Sequence, residues 1–298
     1  MHGEKVHIVK GQTPADYHCT CKFCQKALGE LLKPDGTYYS RLERRKYYDP
    51  AESGKKEGAH IAKTPLHIAR WAIQNYSKPG DWVLDPTIGA GTTAVEAITQ
   101  GRNVAGMEIE FGEVLKKNIQ AALVLANGSK PKAKIGHGDA RNISAFLDKA
   151  KVEKVQLVIN NPPYSGDASM PSPSKEGRGA AYRDKETYFF YDKSLPNLAF
   201  LKEGQEYWDE MTKIYKACAD RLEVGGHFVI GIKDMSKKKQ PYLLHKMFCE
   251  ILEEMKLKFV GTAFLNHYPR TLHLNTCEKF YGFKPPFFQT INVFKKAK

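Results

Sequence analysis

From His60 onward, short apolar runs alternate with stretches of helical spacing, and this alternation limits the folds open to the chain. Leu66, Ala69 and Ile73 recur at helical intervals between Pro65 and Tyr76, and Lys78-Pro79-Gly80 stops that helix. Strands are expected at Trp82–Leu84, Asn103–Met107, Lys132–Ile135, Val155–Ile159, His227–Ile232, Lys258–Leu265 and Thr290–Phe294. Helices are expected at Thr92–Gln100, Val114–Leu125, Gln205–Leu222 and Gln240–Met255. The unbroken run Val155–Ile159 suits a strand covered on both faces. The pattern implies an α/β fold: a mostly parallel sheet with helices on both faces. Ligands in such sheets sit at the carboxyl ends of the strands, so motifs there should share one crevice. Residues 1–58 are polar, basic and irregular, and are expected to form an appendage to a domain at 59–298.

Lys and Arg number 46 against 33 Asp and Glu, a formal charge of +13. Such an excess suits a polyanionic partner, because cations that neutralise phosphates release counterions. No run approaches the roughly 18 apolar residues that span a membrane, and the first residues carry no apolar leader. A cytoplasmic location without membrane association is expected. The six cysteines are not expected to form a disulfide framework in so large a chain.

The first chemical motif runs from Leu84-Asp85-Pro86-Thr87 through Ile88-Gly89-Ala90-Gly91 to Thr92-Thr93. It follows a strand and opens a helix. Gly89 and Gly91 let the backbone approach a ligand, and the helix start offers free N–H groups. This suits the carboxylate end of a zwitterionic cofactor, with Asp85 beside a sulfonium or amino cation. An acid there does not suit a dinucleotide phosphate, whose binding turn reads Gly-x-Gly-x-x-Gly. Glu108, ending the second strand about 20 residues on, has the position of a ribose acceptor. Asp139, ending the third, could accept from an adenine amino group or cap a helix.

The sharpest motif is Asn161-Pro162-Pro163-Tyr164, directly after the fourth strand. Two prolines hold the backbone extended and remove two donors, so their carbonyls must find partners elsewhere. An exocyclic base amine has its lone pair delocalised into the ring. Two acceptors on its two N–H bonds, the Asn161 side-chain oxygen and the Pro162 carbonyl, would localise that pair for attack on a methyl group. Tyr164 would stack on the base. No strong general base is required, because the amine becomes acidic as it is alkylated.

Cys19-Thr20-Cys21-Lys22-Phe23-Cys24 has ligand-like spacing for zinc, with His18 or Cys277 as a fourth ligand. The alternative is a reactive or partly buried thiol cluster; as a zinc site it would be a small knuckle docking nucleic acid. The 165–195 loop carries Tyr188-Phe189-Phe190-Tyr191 beside Arg183 and Lys185, suited to stacking an extruded base or to packing a lid. Lys237-Lys238-Lys239 and the segment from His267 to Arg270 are further candidates for the substrate side.

Together these residues resemble the S-adenosylmethionine-dependent amino-methyltransferases that make N6-methyladenine or N4-methylcytosine. Lys63-Thr64-Pro65 with the following helix to Asp81 is similar to the family's cofactor-side motif. Val83 to Thr93, then Gly101-Arg102 and Glu108, resembles its cofactor loop. Asn161 to Tyr164 matches its (Asp/Asn/Ser)-Pro-Pro-(Tyr/Phe) motif, and Tyr207-Trp208 to Leu222, Gly225-Gly226 and Ile232-Lys233-Asp234 also fit. The resemblance covers roughly residues 60–295 and implies a seven-stranded Rossmann-like class I methyltransferase fold. It assigns the cofactor to Lys63, Thr64, Pro65, Asp85, Pro86, Thr87, Gly89, Ala90, Gly91, Thr92, Thr93, Glu108, Asp139 and Asn161. It assigns catalysis to Asn161, Pro162, Pro163 and Tyr164. The cofactor loop is worded like the beta class of DNA methyltransferases, but that class places its catalytic motif first. No large insert is available for DNA target recognition. RNA is therefore favoured over DNA as partner, cytosine N4 in ribosomal RNA being the leading expectation and an archaeal-type enzyme of that kind a fitting form. DNA methylation is the alternative. A protein glutamine methyltransferase is a third reading, although its cofactor loop usually reads Leu-Asp-Leu-Gly.

Overall fold

The structure, a computed structural model, describes residues 6–11, 13–14, 17, 19–33, 64–110, 112–126, 128–165, 195–201, 204–237, 240–266 and 288–298. The boundary expected near residue 58, Lys63, the aromatic run 188–191, Lys238, Lys239 and His267–Arg270 lie outside them. The chain enters through strand β1 (His7–Val9), the one-turn helix α1 (Lys22–Gln25) and β2 (Ala27–Leu32). Then follow α2 (Leu66–Tyr76), β3 (Trp82–Asp85), α3 (Thr92–Thr99), β4 (Asn103–Glu108), α4 (Gly112–Leu125) and β5 (Ala133–His137). Next come α5 (Ile143–Ala150), β6 (Val155–Asn160), α6 (Gln205–Arg221) and β7 (Leu222–Lys233). A small hairpin of β8 (Met235–Lys237) and β9 (Gln240–Tyr242) precedes α7 (Leu244–Glu254), β10 (Leu257–Asn266) and β11 (Phe288–Lys296).

The main sheet has nine strands in the order β1-β2-β10-β11-β7-β6-β3-β4-β5. Strands β5, β4, β3, β6 and β7 are mutually parallel, and β11 runs antiparallel between β7 and β10. Those seven strands match the seven expected from the sequence. The correction is in the number: β1 and β2 extend the sheet beyond β10, to which β2 pairs in parallel. Their three and six residues, cut by Gly29, carried too weak an alternation to read. Gly29 at φ +126° turns its missing side chain onto the Val9 carbonyl, where a Cβ would stand 1.9 Å from the oxygen. Only glycine fits that crossing. The helix expected at Gln240–Met255 begins later, at Leu244, because residues 240–242 pair with β8.

Period-two alternation along the central strands assigns the two faces. Leu84, Val158, Phe228 and Ile230 point to one core, filled by Met211, Tyr215, Phe248 and Leu252 from α6 and α7. Val83, Leu157, Ile159 and Val229 point to the other, filled by Ile68, Ile73, Ala94 and Ile98 from α2 and α3. The N-terminal segment joins both: Phe23 is wholly buried in the first and Leu31 in the second. Strands buried on both faces explain why Val155–Ile159 is an unbroken apolar run. No helix among the described residues is long and apolar enough to cross a membrane.

Candidate active site

The strand order reverses between β3 and β6, the switch point where an open α/β sheet leaves a crevice at its carboxyl edge. Both chemical motifs end there. Asp85 closes β3 and is wholly buried. Its Oδ2 accepts from Thr93 Oγ1 (2.7 Å), and its Oδ1 accepts from the Thr87 backbone N–H (3.2 Å) and Asn160 Nδ2 (3.1 Å). Burial still wins over these three donors and pushes the carboxyl up to about 6.

Between Asp85 and Thr93 the chain makes its tight turn. Gly89 (φ +57°) and Gly91 (φ +94°) take left-handed conformations, and Gly91 caps α3. A Cβ on Gly91 would meet Leu115 Cδ1 at 2.5 Å. Gly106 on β4 leaves room for the turn to fold back, since a Cβ there would lie 2.5 Å from the Asp85 carbonyl. The Ile88 N–H donates to the Met107 carbonyl (3.0 Å), and Asn118 Nδ2 donates to the Ala90 carbonyl (2.7 Å), so the turn is held from both sides. Thr92 and Thr93 start α3 and are buried. Thr64 and Pro65 lead into α2, which packs on α3 and β6.

A cleft beside this turn is lined by Pro86, Thr87, Glu108, Gly138, Asp139 and Asn197, among others. Glu108 ends β4 and accepts from the Glu110 N–H through Oε1 (2.8 Å). Asp139 faces the cleft but is also a helix cap: it accepts from the Arg141 N–H (2.9 Å) and pairs with the Arg141 guanidinium, whose Nε stands at 2.8 Å. Arg141 in turn donates to the Pro196 carbonyl (2.8 Å) and so ties the segment around Asn197 to the cleft wall.

At the end of β6 two successive asparagines point in different directions. Asn160 is wholly buried and turns to the cofactor turn: Nδ2 donates to Thr87 Oγ1 (2.7 Å) and Asp85, while Oδ1 accepts from the Tyr215 hydroxyl (2.8 Å). Asn161 turns to the other side, over Gly231. With its amide set to satisfy both ends, Oδ1 accepts from Gln289 Nε2 (2.8 Å) and the nitrogen donates to the carbonyls of Gly231 and Asn160 (3.3 Å each). The Pro163 carbonyl accepts from the Tyr207 hydroxyl (2.8 Å), and the Tyr164 hydroxyl accepts from the Lys233 N–H (2.8 Å). Burial raises the Tyr164 phenol above its ordinary range. Among the described residues the Pro162 carbonyl accepts no hydrogen bond.

The sequence therefore marks Asp85, Thr87, Glu108, Asp139 and Asn161 to Tyr164 at one crevice edge. It does not reveal Asn160, Tyr207, Tyr215 or Gln289 as supports. The expected strand ends at Ile159, and Tyr207 enters only as part of the family resemblance, with no role for its hydroxyl. A polar residue closing an apolar run was the available signal for Asn160.

A second cluster lies at the N-terminal segment. The sulfurs of Cys19, Cys21 and Cys24 surround His245 Nε2 at 3.7, 3.2 and 3.3 Å. His18 and Cys277, the expected fourth ligands, lie outside the described residues. His245 gave no sequence signal, because α7 is 220 residues away in the chain and its burial is decided by packing.

Comparison with known proteins finds similarity over the segment that contains the Asp85–Thr93 turn. The family described as DNA methylase, of the N6/N4 type, matches residues 24–116. The type II methyltransferase M.BglI of Bacillus subtilis is 33% identical over 109 residues, which cover 36% of this chain and 30% of that protein. M.HinfI of Haemophilus influenzae is 46% identical over 71 residues, 23% of this chain and 19% of that protein. A tRNA (guanine(10)-N2)-dimethyltransferase of Methanocaldococcus jannaschii is 29% identical over 125 residues, 42% of this chain and 32% of that protein. The chain thus spans less than a third of the length of each of these relatives. The segment that resembles the N6/N4 DNA methylases is thus the one that folds into the Asp85–Thr93 turn and the strands beside it.

Proposed function

We propose that this chain transfers a methyl group from S-adenosylmethionine to an exocyclic amine of a base in nucleic acid. The observation that carries the reading is the pair of acceptors at the end of β6: the Asn161 amide oxygen, with one lone pair on Gln289, and the Pro162 carbonyl, which accepts no hydrogen bond among the described residues. They directly follow Asn160, which is bonded to the cofactor turn. The residues fit the cofactor. Gly91 and Gly106 let the turn close tightly beside the cleft, and buried Asp85 lacks a cationic partner among the described residues. When bound, S-adenosylmethionine supplies an electrophilic methyl on a sulfonium.

Asp85 would stand by its cationic end and Glu108 by the ribose, while Asp139 lines the same cleft. Asn161 and Pro162 accept the two N–H bonds of the amine and localise its lone pair, and the alkylated amine releases its proton to solvent. Tyr164 is fixed through its hydroxyl to the Lys233 N–H with its half-buried ring packed on the core, and the part left uncovered would stack on the base. Alignment of this kind supplies much of the rate.

RNA is the polymer we favour, with cytosine N4 as the leading site. The sequence offers no large insert for target recognition, the candidates being the 165–195 loop, the 1–58 appendage and the 266–288 segment. The names of the type II relatives support DNA as the second reading. Radiolabelled S-adenosylmethionine with total RNA and genomic DNA, followed by nucleoside mass spectrometry, separates them. Label in an RNA nucleoside names the base, and label only in DNA makes the second reading the correct one. Label in neither, with cofactor bound, overturns the nucleic-acid reading.

A further inference from the structure

We infer that Cys19, Cys21, Cys24 and His245 form a closed zinc site, oriented by Asp234, that fastens the N-terminal segment to the catalytic side of the sheet. The four ligand atoms all lie within 4.8 Å of one another. For zinc at the usual bond lengths, a tetrahedral angle places sulfur and nitrogen ligands about 3.5 Å apart. The three sulfur-to-Nε2 distances, 3.2, 3.3 and 3.7 Å, bracket that value.

The protonation pattern agrees. His245 Nδ1 stands 2.5 Å from Asp234 Oδ2. A carboxylate can only accept, so Nδ1 carries the hydrogen and Nε2 presents its lone pair to the three sulfurs. Asp234 is itself wholly held, accepting from the Tyr17 hydroxyl (3.0 Å) at Oδ2 and the His245 N–H (3.0 Å) at Oδ1. A ligating imidazole with its other nitrogen on a carboxylate is the usual outer-shell arrangement of a zinc histidine. A single Nε2 lone pair can take a hydrogen bond from one thiol at a time, whereas a cation engages all three sulfurs and the nitrogen together. With zinc, the three thiols give their protons to the buffer and the ion is bound by three thiolates and a neutral ring. Four protein ligands leave no open position, so the ion is structural.

The placement gives it work to do. Asp234 directly follows Lys233, whose N–H holds the Tyr164 hydroxyl of the catalytic motif. His245 opens α7, Cys19 and Cys21 precede α1, and Cys24 lies in it beside Phe23, which sits in the main core. One ion therefore ties the added strands, α7 and the end of β7 together. This inference rests on the fold alone, independent of the substrate.

The test is metal analysis of the full chain purified without chelators, with X-ray absorption at the zinc edge. One zinc per chain with three sulfur neighbours and one nitrogen is expected. Less than half an ion per chain after zinc addition, iron in its place, or a coordination shell lacking the nitrogen overturns the proposal. The His245→Ala chain is expected to lose the bound zinc, and retention of one tightly held ion by that chain overturns the assignment to His245. Should that variant fail to fold, the absorption spectrum of the unaltered protein still decides. Asp234→Asn, which keeps the shape, is expected to weaken zinc in chelator competition about 10–100-fold. An unchanged affinity would remove the orienting role.

Discussion

Asn160 and Asn161 are neighbours with opposite duties. One is sealed between Asp85, Thr87 and Tyr215, and the other lies over Gly231 with its oxygen on Gln289 and is the one that meets the amine in the proposed function. Asn161→Ala is accordingly expected to lower the transfer rate at least about 100-fold, the scale of losing a positioned polar group at the reacting centre. Cofactor affinity, measured by calorimetry, should stay within about two-fold, and an equal loss of both would place Asn161 in cofactor binding instead. Asp85 yields a pH prediction. Its carboxyl is raised from 3.8 to about 6 by burial, so between those values the folded chain holds a proton that the unfolded chain has released. The group's contribution to stability is full below the lower value and is lost as pH rises through about 6. Its size is on the order of 2–3 kcal/mol at about 1.4 kcal/mol per pH unit. Asp85→Asn should flatten that part of the profile in denaturant titrations at about pH 4.5 and 7.5, and identical profiles for the two chains would contradict the burial argument.

At the scale of elements, α2 and α3 are joined by a buried bidentate pair. Arg70 donates through Nε and Nη2 to the two carboxylate oxygens of Glu96 at 2.9 and 3.0 Å. The Glu96 side chain is 1% exposed and that of Arg70 14%. Removing one partner of such a pair leaves a charge without its counterpart. Glu96→Ala should cost about 3 kcal/mol, a fall in Tm of roughly 6–12 °C for a chain of this size. Calorimetry giving a change below about 2 °C would mean that the pair is not needed to hold the helices together. The pair also explains how a charged residue fits in α3, whose other faces are closed by Ala94, Ala97 and Ile98. It was not legible beforehand, because 26 residues of chain separate the partners.

The whole molecule carries 46 cationic against 33 acidic side chains. If its partner is nucleic acid, affinity should fall at least about 100-fold between about 50 and 200 mM salt, as counterion release requires. A flat salt dependence in fluorescence anisotropy with labelled RNA would argue for a protein substrate. The sequence by itself determined the seven-strand core and the two motifs at its edge. Period-two and helical spacing are local properties, and the Asp85–Thr93 turn and Asn161-Pro162-Pro163-Tyr164 are contiguous, so each can be read without knowing what lies beside it. Only the tertiary structure decided that the N-terminal segment extends the sheet, that Asn160, Tyr207, Tyr215 and Gln289 hold the two motifs, and that His245 and Asp234 complete the cysteine cluster. Those facts are contacts between distant parts of the chain. They are fixed by which buried donor finds which buried acceptor as the layers pack, and no local pattern carries that information.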